Sequence, residues 1–246
     1  MTTSPHADLI ARLQDLKRQS IARGRTTASF FLDEEEQAAA RTVFPESADV
    51  VYDGGYPGAR KKRVIFRNAE NDFSVDTVCL QAMVDQRFRA IGHRDILGAL
   101  MSLQIDRHSF GDFWVEEGRC IFLYTSAAMG RFLKDQLTRI GSLSVQFSET
   151  DERPVQVFHT RRFEEVIASE RADAIVACLA HLSRAEAQRM IRSGLVRKDH
   201  IALEKADELC NNGCTISIRG CGRFTYLGVL HKTRKDRIVA EFLQDL

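Results

Sequence analysis

No run in this chain approaches the roughly 20 consecutive apolar residues that cross a bilayer, so a helical membrane span is excluded. Met1 to Arg12 lack the apolar core of a secretory leader, and the expected compartment is the cytoplasm. The six cysteines stay reduced there. Cys79, Cys120 and Cys178 sit among apolar residues and read as small core hydrophobes. Cys210, Cys214 and Cys221, with His200 or His231, offer thiols and imidazoles for zinc, but no second Cys or His pair stands at standard spacing. The expectation is reduced structural cysteines and no metal.

Catalytic signatures are missing as well. Ile91-Gly92-His93 has the look of a class I synthetase motif, but no glycine-rich turn of a nucleotide-binding parallel sheet precedes it and no lysine loop matches it. His93-Arg94-Asp95 mimics a kinase catalytic loop, yet Leu100 stands where that loop needs Asn. The simpler reading is a helix start, with Asp95 near the positive end of the dipole. No nucleophile and base stand at a recognisable spacing, so neither catalysis nor a cofactor is expected.

What the chain does contain is an uneven distribution of charge. Hydrophobic and charged contents of 44% and 28% are ordinary, and the net charge is only +1. Residues 184–237, however, hold twelve Lys or Arg against six Asp or Glu, a net of +6. Residues 71–165 hold eleven against fourteen, a net of −3. A basic module joined to a neutral or acidic body is the footprint of nucleic-acid binding.

Three segments follow along the chain, and the fold class they predict is α+β. Residues 1–70 form an N-terminal α/β segment. It opens with a helical pattern (Leu9, Ile10, Leu13, Leu16) and continues with a helix at Asp33, where Glu36 completes a capping box. The glycines and proline of 52–58 require a tight loop leading to Arg60-Lys61-Lys62-Arg63 and a strand at 64–66. That basic run either grips phosphate or is the solvated start of a strand.

Residues 71–160 alternate strand and helix. The predicted elements are a strand from Ser74 to Ala82, a helix from His93 to Leu103, and a strand pair at 113–115 and 120–123. A helix capped by Ser126 runs on to a stop at Gly141, and a last strand covers Leu143 to Phe147. The order βαββαβ is ferredoxin-like, without the stacking-aromatic signature of RNA-recognition motifs.

Residues 165–246 begin with a helix near Arg171 to Ala180 and a second one capped by Ser183 and Glu186 and ended by Gly194. Short strands follow. On the second helix Arg184, Gln188 and Arg192 fall at i, i+4 and i+8, opposite Ala187, Met190 and Ile191. The stripe suits phosphates and ribose edges, or is a solvated face. Arg219-Gly220-Cys221-Gly222-Arg223 and Lys232-Thr233-Arg234-Lys235 add two more basic elements to the same small domain, which favours RNA. The RNA-binding set is therefore Ser183, Arg184, Gln188, Arg189, Arg192, Arg197, Lys198, Arg219, Arg223, Lys232, Arg234 and Lys235. Arg60, Lys61, Lys62, His93 and Arg94 form a second set, for RNA or for an interdomain contact.

Leu182-Ser183-Arg184-Ala185, the 191–196 turn and Ile216-Ser217-Ile218-Arg219-Gly220 resemble an S4-like RNA-binding domain. Phe31-Leu32-Asp33, Gly54-Gly55-Tyr56, the 93–100 helix and Gly111-Asp112 resemble the bacterial YlmH family, in the same order along nearly the whole chain. The resemblance implies a ferredoxin-like middle domain, a C-terminal S4-like domain and contacts to ribosomal RNA and tRNA on the large ribosomal subunit in quality control of stalled translation; the expected state is a monomer. Two turns depart from the S4-like pattern, at Val196-Arg197-Lys198-Asp199 and Gly213-Cys214. Pseudouridine synthases and RNA methyltransferases also carry S4-like domains, so an RNA-modifying enzyme is the alternative.

Overall fold

The N-terminal apolar pattern folds as helix α1 (Ala7–Arg23), which buries Leu13 and ends at Gly24 in the left-handed region. Strand β1 (Thr27–Ala28) follows, then α2 (Glu34–Val43), entered through the predicted capping box: Asp33 Oδ1 accepts from Glu36 N at 3.0 Å, and Asp33 N donates to Glu36 Oε2 at 2.9 Å. Strands β2 (Val50–Asp53) and β3 (Arg63–Phe66) complete a three-stranded antiparallel sheet in the order β1-β3-β2. Its core joins Leu13, Leu32, Phe44, Tyr52, Val64 and Phe66. This is a computed structural model of the chain, and it describes residues 6–68, 76–84, 90–234 and 237–245.

Next come β4 (Thr77–Met83), α3 (His93–Ser102), β5 (Phe110–Glu116), β6 (Cys120–Ser126), α4 (Ala127–Gln136), the short β7 (Arg139–Ile140) and β8 (Leu143–Ser144), and β9 (Ser148–Thr150). Four of these strands form an antiparallel sheet in the order β5-β6-β4-β9. Alternation along β6 explains its apolar sequence. Ile121 and Leu123 pack with Ile96, Leu100 and Leu133 from the helices, while Phe122 and Tyr124 pack on the other face with Trp114, Tyr56 and Ala59. Both faces are therefore buried. Gly55, at φ +99°, is required where the loop lies on that second face, because a Cβ there would come within 2.5 Å of the Tyr124 ring.

Two predicted elements are displaced here. The helix after Ser126 stops at Gln136 rather than Gly141, because Gly141 (φ +59°) turns the β7–β8 hairpin instead. The last sheet strand is β9, not Leu143 to Phe147; Val145 and Phe147 are buried in the core without joining the ladder. Ser74, expected to begin the first strand of this sheet, lies outside the described residues.

The chain divides into two compact units, Met1–Gln156 and Val157–Leu246. The second contains β10 (Thr160–Ile167), α5 (Ala172–Leu179), α6 (Arg184–Arg192), β11 (Val196–Lys198), β12 (Ile201–Ala202), β13 (Thr215–Ile218), β14 (Gly222–Lys232) and β15 (Ile238–Asp245). The sheet order is β10-β15-β14-β13-β11-β12, antiparallel throughout. Ile175, Val176, Ala187 and Ile191 of the helices bury against Ile216, Phe224, Tyr226 and Phe242 of the sheet. The architecture is mixed α+β, with six helices and several antiparallel sheets among the described residues. None of those helices is long and apolar enough to cross a membrane.

The four tyrosines link the fold to pH. Burial, the largest cause in each, raises all four phenols: Tyr52 to about 12, and Tyr56, Tyr124 and Tyr226 further. Lys61 runs the other way, lowered by burial to about 8. A raised phenol adds stability that is complete below its unfolded value of 10 and is lost above it, whereas the depressed lysine makes stability rise between about 8 and 10.5. Denaturant midpoints should therefore fall steeply between pH 10 and 11. A midpoint unchanged between pH 10 and 11 would contradict the burial of these hydroxyls.

Candidate nucleic-acid interface

The predicted stripe on α6 is only partly available to a ligand. Asp173, in the first turn of α5, is fully buried. Arg184 donates to it twice, Nε to Oδ2 at 3.0 Å and Nη2 to Oδ1 at 3.1 Å, and Gln188 Nε2 donates to Oδ2 at 2.8 Å. Arg171 adds two bonds at 3.2 Å. Burial alone would raise this carboxyl, but the bonds from Arg184, Arg171 and Gln188 outweigh it and hold the group well below the usual carboxylate range. The reading of Arg184 and Gln188 as a free face is thus corrected, because a buried carboxylate needs their donors. Arg192 is exposed and carries no ion pair among the described residues, and Arg189 makes only a 4.0 Å approach to Glu186. Ser183 caps α6 and bonds Glu186, as predicted.

The residues after α6 build a groove. Gly194, at φ +68°, lets the chain reverse, and Leu195 N donates back to Met190 O at 3.1 Å. Arg219 N donates to Leu195 O at 2.9 Å, which sets the β13–β14 turn beside the end of α6. Gly220 and Gly222, at φ +87° and +117°, allow that turn. The result is an open groove of about 610 Å³ lined by Arg197, Arg219, Arg223 and the three glycines. Arg197 and Arg219 are exposed, and Arg223 is half-buried with Asp245 4.0 Å away. Cationic side chains beside three glycines leave room for a sugar–phosphate backbone to approach closely.

Other predicted cations fall elsewhere. Lys198 Nζ is held by Glu208 Oε1 at 2.7 Å and Leu209 O at 2.8 Å. Lys232 and Arg234 are exposed at the far end of β14, nine residues from Arg223 and so roughly 30 Å along the strand. Lys235 lies outside the described residues. Of the two sequence departures, the first is strand β11 with the first residue of the turn after it, and the second is a turn. Asp199 and His200 (φ +50° and +70°) make the β11–β12 hairpin, and Gly213 (φ +85°) turns the chain before Cys214. Cys210 and Cys214 are buried side by side. Their mutual hydrogen bond raises the Cys210 thiol and lowers that of Cys214.

In the first unit much of the basic run is tied into the fold. Asp112, 8% exposed, accepts from Tyr56 Oη at 2.7 Å, Arg60 N at 2.7 Å and Lys61 N at 3.1 Å. Lys61 Nζ donates to Arg107 O at 2.5 Å and Phe110 O at 2.7 Å. Arg63 bonds Ser29 O and Asp76. The backbone of Lys62 pairs with Leu32, while its side chain lines a small cleft beside the glycine loop. His93 starts α3, as predicted, and stacks on Phe113 at 4.4 Å, with Arg94 exposed beside it. Lys61 Nζ lies 4.7 Å from the Phe110 ring centroid, and that ring meets Phe113, on which His93 stacks, at 5.8 Å. Aromatic side chains missed in the sequence do line one sheet face, but Tyr56 covers Trp114 and Tyr124 at ring distances of 5.6 and 4.8 Å.

Replacing Arg184 with Ala leaves Asp173 buried with fewer donors and should cost roughly 1–3 kcal/mol of stability. Replacing Arg192 should cost no more than about 0.5 kcal/mol. Urea denaturation of both variants checks this, and equal stabilities would remove the anchoring role of Arg184.

Residues 68–169 match the family described as "Putative RNA-binding domain in YlmH". The chain is 30% identical over 216 residues to "Ribosome-associated protein quality control protein P2" of Bacillus subtilis, an alignment covering 84% of this chain and 82% of the relative. Among solved structures, the cell division protein ylmH from Streptococcus pneumoniae superposes with a TM-score of 0.47 at 15% identity, covering 61% of this chain and 94% of that one. On the identity to the curated relative and the extent of that alignment, the chain belongs to the YlmH family.

Proposed function

We propose that the chain is an RNA-binding protein that works on the ribosome without an active site of its own, with the arginine groove of Val157–Leu246 as its principal grip on RNA. The groove carries the reading: Arg197, Arg219 and Arg223 converge on one glycine-lined surface of phosphate-binding character. Membership of a family whose curated relative is named for ribosome-associated quality control supports the ribosome as the setting. The family description gives an RNA-binding role to a stretch upstream of the groove, so we assign RNA contacts to both units.

In finer detail, residues 71–160 form a ferredoxin-like domain and residues 165–246 an S4-like domain, following the N-terminal segment 1–70. The strand order β5-β6-β4-β9 with helical crossovers supports the first assignment, and the capped helix pair on a twisted antiparallel sheet supports the second. Ribosomal RNA and tRNA on the large subunit are the proposed partners of a cytoplasmic monomer. Lys232 and Arg234 at the far end of β14 serve as a second phosphate contact on the same sheet.

Affinity for RNA should fall steeply with salt, because phosphate neutralisation releases counterions. Arg219→Glu should weaken binding roughly tenfold to hundredfold at fixed salt and flatten the salt slope by about one unit. Its melting should be unchanged, and the RNA recovered afterwards should keep its mass. Wild-type affinity in this variant would move the interface off the groove, and a reproducible mass change would favour a modifying enzyme. A C-terminal truncation must cut at residue 156 rather than inside β10, which is a full strand of the second unit's sheet.

A further inference from the structure

A cleft of about 500 Å³ in the first unit takes no part in the contacts assigned so far. Helix α1 lines it with Arg12, Asp15 and Gln19, and Phe30, His108 and Ser126 contribute from the sheet side. The Arg12 guanidinium lies over the Phe30 ring, 4.9 Å from its centroid, and the His108 ring meets Phe30 edge-on at 5.0 Å. Phe30 is itself half-exposed.

The charges around the cleft are unevenly matched. Arg63 is neutralised by Asp76, and His108 sits between Asp106 and Glu36 at 2.7 and 3.0 Å. Arg12 carries no ion pair among the described residues. The cleft thus combines a guanidinium without an ion pair among the described residues, the half-exposed ring it lies over, and at its rim the Gln19 amide and the Asp15 carboxylate. Oδ1 of Asp15 accepts from Arg18, while Oδ2 has no partner among the described residues.

Each of these parts suits a different part of a nucleotide. Unstacked bases settle on aromatic rings and guanidinium planes. Gln pairs with the ring nitrogen and exocyclic amine of adenine, and a carboxylate accepts from an exocyclic amine. A volume of this size lies within the range of small-ligand pockets, about 300–1,000 Å³.

We propose that this cleft binds a single unpaired nucleotide, with its base against Phe30, its phosphate toward Arg12 and its exocyclic amine toward Asp15 and Gln19. The cleft lies in the other unit from the arginine groove, and the inference does not depend on it.

The test is a residue-resolved NMR titration of the full-length protein with 5′-AMP, and with inorganic phosphate as the control. AMP should shift the amides of Phe30, Phe31, Ser109 and Met129 saturably, and phosphate alone should leave them in place. Arg12→Ala, an exposed substitution that does not threaten the fold, should weaken AMP at least tenfold, as should Phe30→Leu; Arg219→Glu should leave it unchanged. Thermal melts establish that the variants are folded. Silence at those four amides, equal displacement by phosphate, or undiminished binding in Arg12→Ala would overturn the proposal.

Discussion

A carboxylate with no exposure to water holds the second unit's helices in place. Asp173 can stay charged only because Arg171, Arg184 and Gln188 surround it with five hydrogen bonds. Those bonds tie the first turn of α5 to the length of α6. The end of α6 is fixed with it, and so is the reversal at Gly194 that places Leu195 against Arg219. Asp112 plays a similar part in the first unit. There one carboxylate collects the Tyr56 hydroxyl and two backbone amides, and so seats the glycine loop over the sheet aromatics.

These anchors sort the cations into two classes. Arg63, Lys61, Arg184 and Lys198 have their charges or donors committed within the protein. Arg192, Arg197 and Arg219 project from the surface. Both classes look alike in a charge count. The partners of the first class, Asp76, Asp173 and Glu208 among them, stand ten or more residues away along the chain.

That difference explains which features could be read from the sequence. Capping boxes at Asp33 and Ser183 act between residues three apart, and both were legible. The start of α3 and the β5–β6 hairpin were legible for the same local reason. Strands β10 and β15 were not. Arg161 and Arg162 pair across the ladder with Gln244 and Glu241, and this polarity interrupts the apolar pattern of Phe163, Ile167 and Phe242, with Arg161 on the same face as Phe163. Arg184 was placed on the right helix and the right face. Its partner lies eleven residues upstream on another helix, and no periodicity reveals such a contact. The groove was legible as two arginines beside glycines, while the contribution of Arg197 required the fold.

The central claim is that RNA lies along the surface formed by Arg197, Arg219 and Arg223. Ultraviolet crosslinking in cells, with both the peptide and the attached RNA sequenced, addresses it most directly. The account predicts adducts on the peptides spanning 194–197 and 217–223, joined to ribosomal RNA or tRNA. Adducts confined to Met1–Gln156, or joined chiefly to messenger RNA, would contradict it.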